Sequence, residues 1–208
     1  GSHKIFYSIT DGNGCSNMDS TTVIIDSIPN AAINPTPSLC ENGSVVTLSA
    51  VNSGGRYAPT AFLDTTGRFD PAIATAGTHK VYYTYTDGNG CVSTDSSNVD
   101  VDTIPDASIL PAGPYCENVA QVTLSANHAG GRFTPTAFLD TAGRFDPTIA
   151  GGGNHKVYYS ITDGNGCANT DSTTIVVNAI SDAGLPAIGP LCANASAVQI
   201  NPNTSGGS

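Results

Sequence analysis

The sequence predicts an all-β protein made of small β-sandwich domains in series. Three observations predict this: the chain repeats itself at a fixed interval, apolar and polar residues alternate in short runs, and turn-forming residues separate those runs. Gly (23) and Pro (13) are abundant among the 208 residues, whereas Trp is absent and Met occurs once. This usage is typical of short strands joined by tight turns.

The repeat keeps a constant register along the chain, because His3, His79 and His155 are equally spaced. Each of these histidines opens a similar run of alternating residues, and the pentapeptide Asp-Gly-Asn-Gly-Cys follows at 11–15, 87–91 and 163–167. A unit of about 76 residues matches a small domain rather than one turn of a solenoid. We therefore expect separate domains rather than one continuous stack.

Proline-bearing junctions give the predicted domain boundaries. The linkers around Ile28-Pro29 and Ile104-Pro105 are short, which predicts an extended and fairly stiff rod of domains. The chain also begins and ends within a repeat, so we expect the parent protein to continue in both directions. The predicted pieces are the C-terminal part of a preceding copy at 1–28, full copies at 29–104 and 105–180, and the N-terminal part of a following copy at 181–208.

The first half of a copy predicts short strands. Val45–Ala50 alternates with Val46 and Leu48 facing inward, and Gly54-Gly55 forms a turn or bulge after it. Thr60–Leu63 and Arg68–Phe69 then flank a turn. No segment has helical periodicity with caps, so six or seven strands and no helix are expected in each copy.

The second half of a copy predicts the two clearest strands. His79–Thr86 alternates strictly and should form a strand, with a return strand reaching about Val101. Asp87–Gly90 joins them as a hairpin, since Asp-Gly and Asn-Gly supply the positive φ that such turns need. The residues predicted to face inward are Val81, Tyr83, Tyr85, Val99 and Val101, and those predicted to face outward are Lys80, Tyr82 and Thr84.

Charge and residue types argue against several functions. The net charge is −10, with 17 acidic residues against 7 basic ones, and every basic residue recurs at a repeat position. Nucleic acids and anionic membranes are recognised by clustered Lys and Arg, so neither is an expected partner. No run of 18 apolar residues predicts membrane insertion. No nucleophile–base spacing accompanies the histidines, so the chain is not expected to be an enzyme.

The six cysteines occupy two positions of the repeat, and three pairing schemes respect it. Pairing within a copy joins Cys40 to Cys91 and Cys116 to Cys167, with Cys15 and Cys192 paired outside this chain. Pairing across a junction joins Cys15 to Cys40, Cys91 to Cys116 and Cys167 to Cys192. A third scheme joins Cys40 to Cys167 of the next copy.

Size favours the scheme within a copy, because so small a domain gains most from its own disulfide. Geometry argues against it, since a standard sandwich places the two positions at opposite ends and a disulfide needs Cα atoms within about 7 Å. The pairing within a copy remains the favoured prediction. Disulfides in turn predict an oxidising compartment, hence an extracellular or cell-surface protein.

Oxygen-bearing side chains give a candidate calcium site. Asp87 and Asn89 alternate like the opening of a calcium loop, Asp95 follows, and Asp102 and Asp106 lie near the junction. Turn chemistry and solubilising charge account for the same residues without a metal. Calcium is therefore the one cofactor that the sequence makes a candidate.

The segments Leu39-Cys40-Glu41-Asn42-Gly43 and Gly77–Cys91 resemble the immunoglobulin-like and PKD-like repeats of large Bacteroidetes cell-surface adhesins, such as gliding adhesins and other type IX secretion cargo. The hairpin also resembles the HYR module. The resemblance covers both full and both partial copies. It implies an immunoglobulin-like sandwich, a disulfide within each module, and a role as stalk or filament repeats. Implied partners are neighbouring repeats, surface glycans or other cells, and no catalytic residue is implied.

Asp followed by Ser or Thr and then by a small or apolar residue resembles the O-glycosylation acceptor motif of the same bacteria, although Asp-Ser and Asp-Thr are also ordinary in turns. The candidate acceptors are Ser20, Ser27, Thr65, Thr103, Thr141 and Ser172. The alternative function is a carbohydrate- or protein-binding immunoglobulin-like module. Aromatic residues are its candidate contacts: Phe6, Tyr82 and Tyr158 on the outer strand face, and Tyr57 and Phe133 after the Gly-Gly turn.

Overall fold

The computed structural model describes residues 1–201, and its regular structure is almost entirely β. The chain divides into two compact units, Gly1–Ile104 and Pro105–Ser208, with the boundary at an Ile-Pro junction. Each unit contains one full copy of the repeat. Within residues 1–201, none of the helices has the length and apolar character needed to cross a membrane.

The first unit begins with a two-stranded hairpin of β1 (Ser2–Thr10) and β2 (Ser16–Ile24), in which every residue is exposed. Six strands follow in the full copy: β3 (Leu39–Cys40), β4 (Val46–Thr47), β5 (Arg56–Tyr57), β6 (Arg68–Phe69), β7 (Gly77–Thr86) and β8 (Val92–Asp102). The number of strands agrees with the prediction. Of these six strands, only β7 and β8 are long. The other four, β3 to β6, each pair with a neighbour over two residues.

Two sheets enclose the core of the first unit. The larger sheet has the order β3-β8-β7-β5, and the smaller pairs β4 with β6. β7 and β8 are antiparallel over ten residue pairs, whereas β3 runs parallel to the end of β8. The predicted inner residues are confirmed as buried at Leu48, Val81, Tyr83, Val99 and Val101, while Val46 and Tyr85 are half-buried beside them.

A one-turn helix, α1 (Pro71–Ala74), precedes β7, so the prediction of no helix is wrong. Asp70 caps it, because its carboxylate accepts a hydrogen bond of 3.0 Å from the N–H of Ala72. Proline at the first helical position loses no hydrogen bond there. A single turn is too short to create a periodic pattern, and the Asp-Pro pair was its only signal.

The second unit repeats this plan. Its strands are β9 (Tyr115–Cys116), β10 (Val122–Thr123), β11 (Arg132–Phe133), β12 (Arg144–Phe145), β13 (Gly153–Thr162) and β14 (Ala168–Asn178), and its helix is α2 (Pro147–Ala150). The sheet orders, β11-β13-β14-β9 and β10-β12, match those of the first unit. Corresponding residues fill the core, among them Leu124, Val157, Tyr159, Ile175 and Val177.

The N-terminal hairpin, which lacks the first half of its copy, leaves its apolar side chains exposed. Ile5 and Tyr7 are 54% and 69% exposed, whereas Val81 and Tyr83, at the same repeat positions, are 2% and 3% exposed. The apolar face of the long hairpin is therefore covered by the strands and loops of the first half of its copy.

Candidate functional site

The side chain of Asp87 stabilises the hairpin turn between β7 and β8. Its carboxylate Oδ1 accepts hydrogen bonds from the N–H groups of Asn89 (3.0 Å) and Cys91 (2.9 Å). Gly90 has a φ of 85°, which a residue with a side chain rarely adopts. Asp163 makes the equivalent pair of hydrogen bonds in the second unit. The Asp-Gly-Asn-Gly segment is therefore explained by the turn that it forms.

The predicted calcium ligands are not brought together. Asp87 lies at the hairpin end of β8, beside Cys91, and Asp102 lies at the other end, about 35 Å away over 11 residues of strand at ~3.3 Å each. Asp95 lies between them, opposite Tyr83. Within residues 1–201, no group of three or more His, Cys, Asp or Glu side chains is placed to hold a metal ion.

The fifth predicted ligand, Asp106, belongs to the second unit and organises a local turn. It accepts hydrogen bonds from the N–H of Ser108 (2.9 Å), from the Ser108 hydroxyl and from Nδ2 of Asn127 (3.1 Å). The hydrogen bonds from Ser108, followed by that from Asn127, lower the pKa of this carboxyl. Its oxygens are thus occupied by neighbouring donors.

The two cysteine positions lie at opposite ends of each main sheet. Cys40 pairs with Asp102 at the end of β8, and Cys91 sits at the hairpin that precedes β8. Eleven residues of strand separate the two ends, which is about 35 Å. The second unit repeats the arrangement, with Cys116 paired to Asn178.

Neither predicted disulfide within a copy is formed. Cys15, Cys91, Cys116 and Cys192 are free, whereas Cys40 and Cys167 are disulfide-bonded. The physical reason is the strand order, because a separation of about 35 Å far exceeds the roughly 7 Å that a disulfide allows between Cα atoms. The pairing across a junction, which would use all six cysteines, is not formed either.

The free thiol of Cys91 is held in its protonated form. Desolvation raises its pKa, and the carboxylates of Asp87 and Asp26 add to the effect by disfavouring a thiolate. Because the thiolate is the reactive species, Cys91 is a slow nucleophile at neutral pH.

The candidate hydroxyl acceptors fall into two structural classes. Ser20 and Ser172 lie on strands, opposite Phe6 and Tyr158, and so are not turn residues. The other four lie outside strands, as expected for acceptors in turns and junctions: Ser27, Thr65, Thr103 and Thr141.

The aromatic residues predicted as ligand contacts fall into an exposed pair and a buried pair. Tyr82 and Tyr158 are 47% and 41% exposed, and lysine Nζ atoms lie over their rings at 5.5 and 5.1 Å from the centroids. Tyr57 and Phe133 are each only 4% exposed and belong to the cores, so they are not available to a ligand. Their neighbours Arg56 and Arg132 are exposed, and this alternation was the signal for an inward position.

The histidines at the start of β7 and β13 are structural. Nε2 of His79 lies 2.9 Å from the carbonyl oxygen of Thr75, and its ring packs edge-on against Phe62 with centroids 4.9 Å apart. His155 repeats both contacts with Gly151 and Phe138. These rings fasten the end of the one-turn helix to the long strand.

No family model matches the chain, and no curated protein matches its sequence. Solved structures similar to it include a 1.5-MDa bacterial ice-binding adhesin, at 15% identity over 85% of this chain and 74% of that one, with a TM-score of 0.39. Mouse protocadherin-24 EC1-3 aligns at 13% identity over 86% and 80%, with a TM-score of 0.30. Drosophila N-cadherin EC1-4 aligns at 12% identity over 86% and 58%, with a TM-score of 0.31. Likeness at these scores is too weak to assign a function.

Proposed function

We propose that the chain is a run of structural spacer repeats in a large secreted or surface-anchored bacterial adhesin or extracellular filament. The observation that carries this proposal is the structural repetition. The two full copies have the same strand order, the same one-turn helix and corresponding core residues. A spacer needs this regularity because every copy must contribute the same increment of length.

The differences between the copies support the same function. Tyr83 donates to the backbone oxygen of Asn52, and Tyr159 donates to that of His128, each at 2.7 Å. The side chain changes from Asn to His while the backbone contact stays the same. Selection for a shared fold explains this pattern, whereas a binding site specific to one copy would require the side chain itself.

Neighbouring repeats of the same protein are then the principal partners, and the location is extracellular or at the cell surface. Disulfide-bonded Cys40 and Cys167 fit an oxidising compartment. The excess of acidic residues keeps such an array soluble and limits self-association.

Small-angle X-ray scattering of the 208-residue chain tests the proposal. Strands of 10 or 11 residues give each copy a length of about 35 Å, so a rod of two full copies and the N-terminal hairpin should reach about 100 Å. A rod of that length has a radius of gyration of about 30 Å, whereas a compact chain of this size has one of about 17 Å. A radius close to the compact value would refute the spacer.

The alternative function, a carbohydrate- or protein-binding module, is supported by the exposed Tyr82 and Tyr158 and their lysines. It predicts that the chain binds a panel of bacterial and host glycans or intact cells, and that Tyr82→Ala with Tyr158→Ala abolishes the binding. The matched control is Thr84→Ala, which changes the same outer face of β7 and leaves both rings in place.

A further inference from the structure

The four-stranded sheet of each unit, its main sheet, has an exposed outer face. In the first unit, Tyr82 is 47% exposed and lies in the middle of this face, among alternate residues of β7 and β8. The cross-strand pairs around it are Lys80 with Asn98, Tyr82 with Ser96, and Thr84 with Thr94. In the second unit they are Lys156 with Thr174, Tyr158 with Ser172, and Ser160 with Thr170. Each face therefore surrounds one aromatic ring with hydroxyl and amide groups.

Two cations flank the aromatic ring on each face. In the first unit, Nζ of Lys80 lies 5.5 Å from the centroid of the Tyr82 ring. On the other side of the ring, Arg56 pairs with Thr84 and is exposed, while the next residue, Tyr57, is buried. Residues 80 and 84 are four apart on β7, so the backbone positions of the two cations lie about 14 Å apart. The second unit repeats this arrangement with Lys156, Tyr158 and Arg132.

The cations of the outer faces are not neutralised by acidic side chains. Within residues 1–201, none of the four forms an ion pair: Lys80, Arg56, Lys156 and Arg132. In the second unit, no outer position of β13 or β14 holds Asp or Glu. A chain with a net charge of −10 thus presents a face whose charged groups are cations. Charge complementarity favours an anionic ligand on this face.

An open cavity of about 370 Å³ lies on the outer face of the first unit, beside Arg56. Thr84, Thr86 and the Gly54-Gly55 turn contribute to its walls. Its volume is within the range of sites that hold small ligands. A guanidinium group forms two parallel hydrogen bonds with a carboxylate, and threonine hydroxyls both donate and accept hydrogen bonds. The cavity therefore suits a ligand that carries a carboxylate together with hydroxyl groups.

We propose that the outer face of the main sheet in each unit binds a polysaccharide that carries carboxylate groups. The apolar C–H face of one sugar ring packs on Tyr82 or Tyr158, and the neighbouring serine and threonine hydroxyls bind its hydroxyl groups. The lysine and the arginine on either side pair with carboxylates of the adjoining sugars. A sugar polymer supplies both the apolar face and the charges, whereas a run of acidic side chains supplies the charges alone.

This inference rests on the alternative function, the carbohydrate-binding module, and narrows its ligand to one class of glycan. The same face occurs in both full copies, so binding is compatible with a spacer built from equivalent repeats. A spacer without any glycan affinity remains the outcome if the alternative function fails.

The second unit should bind the acidic polysaccharide more tightly than the first. Asp100 lies on the outer face of the first unit, where it accepts a hydrogen bond of 2.6 Å from the Thr78 hydroxyl, one pair along from Lys80 and Asn98. Val176 is its counterpart in the second unit. A carboxylate at this position repels an anionic ligand, so Val176→Asp should weaken binding to the second unit.

Isothermal titration calorimetry on the 208-residue chain tests the ligand class. Polygalacturonate is the acidic probe, dextran is the neutral probe, and polyglutamate supplies carboxylates without sugar rings. Polygalacturonate should bind most tightly, and added salt should weaken its binding because screening reduces the attraction between exposed charges.

Matched variants test the face itself. Arg56→Gln with Arg132→Gln should weaken the binding of polygalacturonate by about threefold to tenfold. The control is Arg68→Gln with Arg144→Gln, which removes the same charge from the smaller sheets and should leave the affinity unchanged. Circular dichroism checks that both double variants are folded. Equal losses in the two double variants would show that net charge alone governs the binding, and would overturn the proposed site.

The three probes also separate this inference from the function on which it rests. Dextran bound as tightly as polygalacturonate would overturn the acidic ligand and leave the carbohydrate-binding module standing. Polyglutamate bound as tightly as polygalacturonate would show that the face recognises acidic polypeptides instead. If none of the three probes binds, the proposed ligand is wrong, and the glycan and cell panel decides whether the alternative function also fails.

Discussion

The carbonyl oxygen of Asn52 accepts a hydrogen bond of 2.7 Å from the hydroxyl of Tyr83, a residue 31 positions further along the chain. The same hydroxyl accepts a hydrogen bond of 2.7 Å from the N–H of Gly55. A buried aromatic residue of β7 therefore fastens both sides of the Gly-Gly turn that leads into β5. Tyr159 does the same in the second unit.

Removing this hydroxyl should destabilise the first unit. Tyr83→Phe leaves a backbone donor and a backbone acceptor without their partner in a partly buried turn, which should lower the free energy of unfolding by about 1–3 kcal/mol. Urea denaturation followed by circular dichroism measures the change. Tyr159→Phe should destabilise the second unit by a similar amount, and no loss in either variant would contradict the role of the hydroxyl.

Removing the hydroxyl of Tyr57 should stabilise the first unit, in contrast to its removal at Tyr83. Its hydroxyl is buried without a hydrogen-bond partner, and Phe133 occupies the same position in the second copy. Tyr57→Phe should raise the free energy of unfolding by about 1 kcal/mol, because an unsatisfied polar group leaves the core. Phe133→Tyr is the matched reverse change and should destabilise the second unit.

Tyr57 should also make the first unit sensitive to alkali. Burial, followed by the neighbouring Tyr83, raises the pKa of Tyr57, so the folded state holds the phenolic proton more tightly than the unfolded state. The stability that this provides is present below the unfolded pKa of about 10 and is lost as the pH rises above it. Tyr57→Phe should flatten the decrease in unfolding free energy between about pH 9.5 and pH 11, measured by urea denaturation at each pH.

Gly55 should tolerate no side chain. A Cβ there would lie 2.3 Å from the carbonyl oxygen of Thr84 and 2.6 Å from the Tyr83 ring. The Thr84 oxygen belongs to the backbone of β7 and cannot move without disturbing the sheet, so Gly55→Ala should cost about 3 kcal/mol or more. Gly88→Ala is the control, since no atom lies within 4 Å of that Cβ, and it should change stability by less than about 0.5 kcal/mol.

Thr75 adopts a φ of 63°, and its counterpart in the second copy is Gly151, with a φ of 74°. A β-branched residue is strained there, so Thr75→Gly should stabilise the first unit by about 1 kcal/mol despite the extra chain entropy of glycine. Gly151→Thr should destabilise the second unit. Thermal unfolding of both variants checks the pair, and a loss of stability in Thr75→Gly would show that the threonine is not strained.

The acid response of the second unit should depend on Asp146. The hydrogen bond from the Thr148 hydroxyl, supported by the N–H groups of Thr148 and Ile149, lowers the pKa of this carboxyl. Its contribution to stability is present above the unfolded pKa of about 4 and is lost as the pH falls through the lower folded value. Thr148→Ala, which installs the residue found at Ala72 in the first copy, should shift that loss to higher pH. NMR titration of the Asp146 carboxyl measures the shift.

Much of the fold could be predicted from the sequence because β7 and β8 are long. Their strict alternation identifies the inner face, and Val81, Tyr83, Val99 and Val101 lie where the pattern places them. The two-residue strands have no such pattern. Their existence depends on which backbone groups meet in three dimensions, so Val45–Ala50 contributes only Val46–Thr47 to a sheet.

The cysteine pairing could not be predicted in the same way. Sequence spacing does not reveal that β3 runs parallel to the far end of β8, and this strand order is what separates Cys40 from Cys91. The separation of the candidate calcium ligands could not be predicted for a related reason. Local spacing correctly described the oxygen-rich hairpin, but the distance between Asp87 and Asp102 follows from the extension of the strand between them.

The parallel pairing of β9 with β14 has a mechanical consequence. Tyr115 and Cys116 are reached early in the second copy, and their partners Val177 and Asn178 lie at its end. Tension applied through the two ends of the copy pulls these parallel strands in opposite directions along their own axes. The hydrogen bonds between them then carry the load together, in shear, and do not open one after another as they would if the strands were peeled apart.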